Sequence, residues 1–294
     1  MVTVQKAIQS VAVIGAGQMG SGIAQVCARA GLVVYLSDES EAQAAQAKAK
    51  IEARLLRQQG EGKLPVGAAD ETLTRLSTGG PLFGVELSDA VLEAAPETLE
   101  LKLALFRSLG ERTPPDTIIA TNTSSLSITR LAREARNPDR VIGMHFMNPV
   151  PVMKLVEVVR GTLTSEATAK AVVELATLLG KQVIQSQDRP GFLVNRILIP
   201  FLIEACFALQ EGVGTKQDID AAARLGLGHP LGPLELSDLI GLDTVLSIAE
   251  ILHRDFGDSK YRPPPLLRNL VQAGLLGRKT GQGFYVYDQD GQKS

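Results

Sequence analysis

Val11-Ala12-Val13-Ile14-Gly15-Ala16-Gly17-Gln18-Met19-Gly20-Ser21-Gly22-Ile23-Ala24 joins a short apolar run, a GxGxxG turn and the opening of a helical pattern. Each glycine has a mechanical task at this spacing. Gly15 allows a tight turn, Gly17 lets the backbone approach a pyrophosphate, and Gly20 lets helix and strand pack closely. The helix that follows would offer unpaired N–H groups and the positive end of its dipole to phosphate. A bare GxGxxG says little. Here the motif sits between a strand and a helix, and a second apolar run, Val33–Ser37, ends at an acid, Asp38.

A carboxylate at Asp38 can accept hydrogen bonds from the adenosine ribose hydroxyls and would repel a 2′-phosphate. Glu39 and Ser40 beside it supply no Arg for such a phosphate, so the reading favours NAD over NADP. FAD is the main rival ligand. A glycine turn serving some other ligand, or none, is the bland alternative.

Outward from this unit, short β-rich runs alternate with longer helical patterns. The runs are Val11–Ile14, Val33–Ser37, Ala90–Ala94, Thr117–Ala120, Val141–Met144, Leu155–Val159 and Val183–Gln185, with helices expected over Ser21–Ala30, Glu41–Gln59, Leu99–Arg112 and Glu166–Leu179. Such alternation predicts a Rossmann-like α/β domain, a doubly wound and mainly parallel sheet covered on both faces. After the Pro190-Gly191 break nearly everything reads as helix, apart from one last β-like piece at Phe284–Tyr287. Residues 1–188 are therefore expected to form the nucleotide-binding domain and residues 189–294 an all-α C-terminal domain.

Composition narrows the function classes. The chain has 294 residues, 45% hydrophobic, and a formal net charge of -2, so no general basic surface for nucleic acid is expected. Phe192–Leu209 is the longest apolar stretch, but Asn195, Arg196, Pro200 and Glu204 interrupt it, which argues for a buried helix at an interface and against a membrane span. The Met1–Ser10 segment shows no apolar leader, so a cytoplasmic protein is expected. Cys27 and Cys206 have no Cys or His at ligand spacing; both read as reduced core residues, and no metal site is expected.

The chain has 3 histidines. His145 follows the run Val141–Met144, and carboxyl ends of strands are where an open α/β sheet holds ligands. Glu157 lies in the next apolar strand, where a lone carboxylate is costly to bury unless compensated. A His145–Glu157 hydrogen bond would compensate it, fix the imidazole tautomer and stabilise the imidazolium. Alone, His145 fits either a hydrogen-bonded structural histidine or a general base, and Glu157 could face solvent on an edge strand. Beside a nucleotide motif the pair points to oxidation of an alcohol, whose hydroxyl proton needs an acceptor. Asn122-Thr123-Ser124-Ser125, at another strand end, could bind a substrate oxygen or the nicotinamide ribose, or else cap the helix starting near Ser127.

Taken together, these motifs resemble the 3-hydroxyacyl-CoA dehydrogenase family, in particular its bacterial 3-hydroxybutyryl-CoA members. The resemblance runs through the glycine motif, Glu93-Ala94-Ala95-Pro96-Glu97, Asn122-Thr123-Ser124-Ser125 and His145-Phe146-Met147-Asn148-Pro149-Val150-Pro151. It continues through Lys154-Leu155-Val156-Glu157-Val158-Val159, Arg189-Pro190-Gly191-Phe192-Leu193-Val194-Asn195-Arg196 and Gly277-Arg278-Lys279-Thr280-Gly281-Gln282-Gly283-Phe284-Tyr285. It implies that His145 takes the 3-hydroxyl proton while hydride passes to NAD, with Glu157 orienting His145 and with Ser124 and Asn195 on the reacting oxygen. It places Gly15, Gly17, Gln18, Met19, Gly20, Asp38, Glu97, Lys102, Asn122, Ser124, Asn148 and Lys279 at the NAD site. It also implies (3S) stereochemistry, a short acyl-CoA substrate and a homodimer built through the helical domain.

Two departures from the family pattern stand out: Thr98 after Pro96-Glu97, and His229 where an aromatic is usual. His229 reads as a turn residue before Pro230, and His253 as part of a solvated helix face. Lys50, Arg54 and Arg57 share one helix face and could hold CoA phosphates; Arg54 and Lys63 are the candidates carried forward, against an ordinary solvated surface. Two other functions compete. One is a dehydrogenase of a free hydroxy or sugar acid, a branch that relies on a catalytic Lys. The other is a non-catalytic nucleotide-binding structural protein, which would not require Ser124, His145, Glu157 and Asn195 together.

Overall fold

The computed structural model describes residues 7–288 and 290–293; most of the Met1–Ser10 segment read above as leaderless lies outside them. Two compact units are present, one ending at Arg189 and the other beginning at Pro190.

The first unit is built on one sheet of eight strands: β1 (Ser10–Ile14), β2 (Val33–Ser37), β3 (Leu76–Gly79), β4 (Ala90–Glu93), β5 (Ile118–Thr121), β6 (Val141–Phe146), β7 (Leu155–Arg160) and β8 (Gln182–Gln187). Their order is β3-β2-β1-β4-β5-β6-β7-β8. Every pairing is parallel except β6 with β7. The chain winds outward from β1 in one direction and from β4 in the other, so the crevice between their carboxyl ends is the topological switch point. Central strands β1, β4, β5 and β6 are buried almost throughout, as a sheet covered on both faces requires.

Helices α1 (Gln18–Arg29), α2 (Glu41–Gly60), α3 (Ala68–Thr74), α4 (Leu99–Arg112), α5 (Ile128–Ala132) and α6 (Glu166–Leu178) belong to this unit. In α2 the buried positions Ala44, Ala47, Ile51 and Leu55 form one stripe at helical spacing. Ser40 caps that helix by accepting from the Gln43 N–H, which explains its abrupt start after Asp38.

Several expectations are corrected here. Strand β6 extends through Phe146, so His145 lies inside the strand rather than after it. Helix α1 starts at Gln18, so Gly20 is part of its first turn. Strand β3 and helix α3 had no counterpart in the sequence reading. Leu76-Ser77-Thr78-Gly79 is short and weakly apolar because β3 is an edge strand, paired with β2 alone.

The second unit contains α7 (Val194–Gln210), α8 (Lys216–Ala221), α9 (Pro233–Ile240), α10 (Leu242–Phe256) and α11 (Pro265–Gln272). Ile199, Leu202, Cys206, Leu234, Leu242, Leu252 and Tyr261 form its core. The β-like piece expected at Phe284–Tyr287 is no strand. It makes only isolated bridges, and buried carboxylates hold it instead. Asp238 accepts from the N–H groups of Phe284 and Tyr285, both at 2.9 Å, and from the Tyr287 hydroxyl at 2.9 Å. Burial pushes the Asp238 carboxyl above its ordinary range against these bonds. Both cysteines are buried and unbridged, and burial pushes each thiol up to about 12. Among the described residues no helix is long and apolar enough to cross a membrane, and no group of three or more His, Cys, Asp or Glu side chains could hold a metal ion.

Candidate active site

At the switch point the glycine motif packs against the end of β4. Gly15 has φ +97°, and a Cβ there would lie 2.6 Å from the Ala94 carbonyl oxygen. A Cβ on Gly20 would run into the carbonyl oxygen of Gly15. By contrast, a Cβ on Gly17 would meet nothing within 4 Å; its missing side chain leaves open space above the turn. Asp38 reaches back across the motif, where Oδ2 accepts from the Ala16 N–H at 2.8 Å, so the acid also fixes the glycine turn.

These residues line a cavity of about 720 Å³ that includes Gly15, Gly17, Met19, Asp38, Ala95 and Pro96. A second cavity, about 620 Å³, opens between α1 and α2 and includes Gln18, Ser21, Gln43, Gln46, Lys50 and Arg54. Gly17, Gln18 and Gln43 belong to both, so the two spaces meet over the glycine turn. Arg54 is braced there, its Nη1 donating to Gln25 Oε1 at 2.7 Å. The structure does not bring the rest of the basic stripe into this cavity. Arg57 faces Glu61 at 3.8 Å, and Lys63, 70% exposed, pairs with Glu61 at 2.7 Å.

His145 and Glu157 are direct cross-strand partners in the antiparallel β6–β7 pair. Such partners project from the same face of a sheet. His145 Nδ1 lies 3.2 Å from Glu157 Oε2, with side-chain exposures of 9% and 0%. A carboxylate can only accept at that distance, so Nδ1 is the ring nitrogen that donates to Glu157. The solvent-facing alternative for Glu157 fails because β8, not β7, is the edge strand.

The Asn122–Ser125 turn does not serve as a helix cap. Ser127 caps α5 by accepting from the Arg130 N–H, and Asp188 accepts from the N–H groups of Ile128 and Thr129. Asn122 Oδ1 instead accepts from the Phe146 N–H at 2.9 Å, next to His145. Glu97 Oε1 accepts from the Ser124 N–H at 2.8 Å and the Ser124 hydroxyl at 3.2 Å. Asn148 Oδ1 accepts from Gln18 Nε2 at 3.1 Å, linking the segment after β6 to the glycine helix.

Lys102 is almost wholly buried, and its ammonium donates to Glu93 Oε1 at 2.5 Å and to the Ala95 carbonyl at 3.1 Å. Glu93 was not a candidate from sequence. A lone acid in an apolar strand, the pattern of Glu157, recurs in Ala90-Val91-Leu92-Glu93 and is the signal that marks it. Lys181 was also missed: its ammonium clamps the carbonyls of Val150 and Met153 at 2.6 and 2.8 Å, holding the segment that carries Asn148. In the second unit Asn195 is 7% exposed in the first turn of α7, and Lys279 pairs with Asp243 at 2.5 Å. His229 is exposed and stacks on Phe201, with ring centroids 4.7 Å apart. His253 is half-buried rather than fully solvated.

A glycine turn at the switch point, an acid closing it and a buried His–Glu pair in the same sheet define an NAD-binding oxidoreductase fold. The chain belongs to the 3-hydroxyacyl-CoA dehydrogenase family. The family's NAD binding domain matches residues 10–189 and its C-terminal domain residues 191–287. A probable 3-hydroxybutyryl-CoA dehydrogenase of Bacillus subtilis is 49% identical over 96% of this chain and 98% of its own. The mitochondrial hydroxyacyl-coenzyme A dehydrogenase of Rattus norvegicus is 45% identical, over 95% of this chain and 91% of its own. Among solved structures, the (S)-3-hydroxybutyryl-CoA dehydrogenase PaaH1 of Ralstonia eutropha superposes with a TM-score of 0.93 at 45% identity, covering 96% of this chain and 100% of that one.

Proposed function

We propose that this protein oxidises the 3-hydroxyl of a short (3S)-3-hydroxyacyl-CoA such as 3-hydroxybutyryl-CoA, reversibly and with NAD, using His145 as general base. The buried His145–Glu157 pair carries this reading. With Nδ1–H donated to the carboxylate, Nε2 is the atom that takes the hydroxyl proton. The Glu157 charge stabilises the imidazolium that results. In the reverse direction the same nitrogen returns the proton to the ketone oxygen.

NAD, when bound, supplies the electron-pair acceptor. The cavity over the glycine turn fits its adenosine half. Gly17 leaves room for phosphate and the α1 N-terminus faces it, while Asp38 stands where ribose hydroxyls would be held. Asn148, Glu97 and Lys102 are assigned to the nicotinamide end of the same site. Ser124 is assigned to the reacting oxygen; Asn195, in the second unit, keeps the role that the family resemblance implies. Lys279 stays with NAD on the same ground.

For the CoA phosphates we assign the cavity between α1 and α2, through Lys50 and the braced Arg54. Lys63 is weaker in this role, being held by Glu61. The reading also includes a cytoplasmic homodimer formed through the helical unit; light scattering of the purified protein tests the dimer.

The deciding assay compares NADH oxidation by acetoacetyl-CoA with that by free acetoacetate. Turnover dependent on CoA is expected. Comparable turnover without CoA would refute the substrate class, and no turnover of either would refute the enzymatic reading.

A further inference from the structure

Glu93 ends β4 with a carboxylate that is 0% exposed, and the mechanism above does not use it. Its Oε1 accepts from Lys102 Nζ at 2.5 Å and from the Ala95 N–H at 2.7 Å. Its Oε2 accepts from the Thr121 hydroxyl at 2.6 Å, and its backbone carbonyl from the Asn122 N–H at 2.7 Å. One residue therefore grips both the turn after β4 and the end of β5.

A second acid closes the circuit. Glu97 Oε2 lies 3.6 Å from Lys102 Nζ, while its Oε1 accepts from the Thr123 hydroxyl at 2.5 Å. The Thr123 N–H donates to the Thr121 oxygen at 3.2 Å, which returns to Glu93. The result is a closed ring, Glu93–Lys102–Glu97–Thr123–Thr121, holding two carboxylates against one ammonium.

The distances rank the two acids. Lys102 sits in short contact with Glu93 and a full ångström farther from Glu97. Glu97 thus keeps most of its acceptor capacity for the Thr123–Ser125 turn, whose N–H and hydroxyl groups converge on it. Without the Glu93 charge, Lys102 has one carboxylate left within reach. The ammonium would pull Glu97 toward itself and off the turn. A buried acid at this strand end is costly unless compensated, and here Lys102, Thr121 and the Ala95 N–H compensate it together.

We infer that Glu93 is a positioning residue for the reaction: by holding Lys102 and Thr121 beneath the crevice it keeps Glu97 on the Thr123–Ser125 turn and so sets where the Ser124 hydroxyl stands. This rests on the reading that Ser124 touches the reacting groups.

The test is a double-mutant cycle of Glu93→Gln with Ser124→Ala, measuring kcat and KM for acetoacetyl-CoA. Glu93→Gln is expected to lower kcat about tenfold, within the range of couplings between residues of one network. KM should move by less than about twofold, as expected when positioning and not uniform binding is lost. In the Ser124→Ala background the same change should add little. An equal penalty with and without Ser124 would mark a general structural effect and overturn the inference, as would an unchanged kcat in Glu93→Gln. If Ser124→Ala alone leaves kcat intact, the reading of Ser124 fails first and takes the inference with it. Thr121→Val breaks the ring on its uncharged side and guards against misfolding of the Gln variant. It should show the same dependence on Ser124 at smaller size, and a full, Ser124-independent loss would overturn the proposal.

Discussion

Replacing Glu157 with Gln isolates what its charge does. The amide keeps the volume and one acceptor oxygen, so the packing of β6 on β7 survives. Opposite charges at the observed 3.2 Å attract by about 5 kcal/mol at an effective dielectric constant near 20. Screening is weak here, since the two side chains are only 9% and 0% exposed. The amide oxygen still accepts a hydrogen bond worth about 1 kcal/mol. On the proposed mechanism, the imidazolium formed in the transition state therefore loses about 3–4 kcal/mol, or about 10²–10³-fold in kcat. That lies within the about 10²–10⁴-fold contribution of a general base, as it must.

If the amide turns its N–H group toward Nδ1, the proton moves to Nε2 and the base itself is lost, which deepens the defect. The ground-state cost is smaller, about 1–2 kcal/mol, the usual loss when one buried hydrogen bond is weakened. Neither His145 nor Glu157 lines the cavity over the glycine turn, so NADH should bind the variant normally. The assay is steady-state NADH oxidation with acetoacetyl-CoA, with NADH affinity read by fluorescence. A folded variant with kcat within about threefold of wild type would refute electrostatic support by Glu157.

The glycines separate cofactor binding from folding. Gly17→Ala has open space, so its melting temperature should hold while NADH affinity falls about tenfold or more. Gly20→Ala overlaps the Gly15 carbonyl and should destabilise by at least about 1–3 kcal/mol; thermal melts of both variants check the contrast. Charge reversal of Lys50 and Arg54 to Glu should raise KM for acetoacetyl-CoA about tenfold and leave kcat within about twofold; an unchanged KM would remove that face from the substrate site. Cys27 and Cys206, with thiols pushed up to about 12, should both resist a thiol reagent in the native protein and react together in denaturant.

The nucleotide half of the fold was legible because its signals are local. An apolar run, three glycines and Asp38 lie within one short stretch, and the structure assembles them as a contiguous turn. Glu157 was legible for a different reason: a buried acid in an apolar strand demands a partner, and one histidine was available nearby. Glu93 was less legible because its partners Lys102 and Thr121 lie on two other elements. Strand β3 escaped because an edge strand needs little hydrophobicity, and Phe284–Tyr287 misled because its aromatic and β-branched run reflects burial over Asp238 rather than strand pairing. The alternative for Asn122–Ser125, a cap for α5, is filled by Ser127 itself, and Asp188, 59 to 61 positions away, adds contacts that no local pattern encodes.

The single antiparallel pairing has a consequence for how the active site can vary. His145 and Glu157 are matched by the backbone ladder of β6 and β7, not by the path of the chain between them. The intervening segment, residues 147–154, can lengthen, shorten or change its contacts while the two side chains keep facing one another. A deletion of one residue inside either strand does the opposite, since it turns one partner to the far side of the sheet and leaves a carboxylate buried among valines. Variation is thus more open in the loop than in the strands beneath it, within the limits set by Asn148 and by the Lys181 clamp on Val150 and Met153, and the His145–Glu157 pairing survives it.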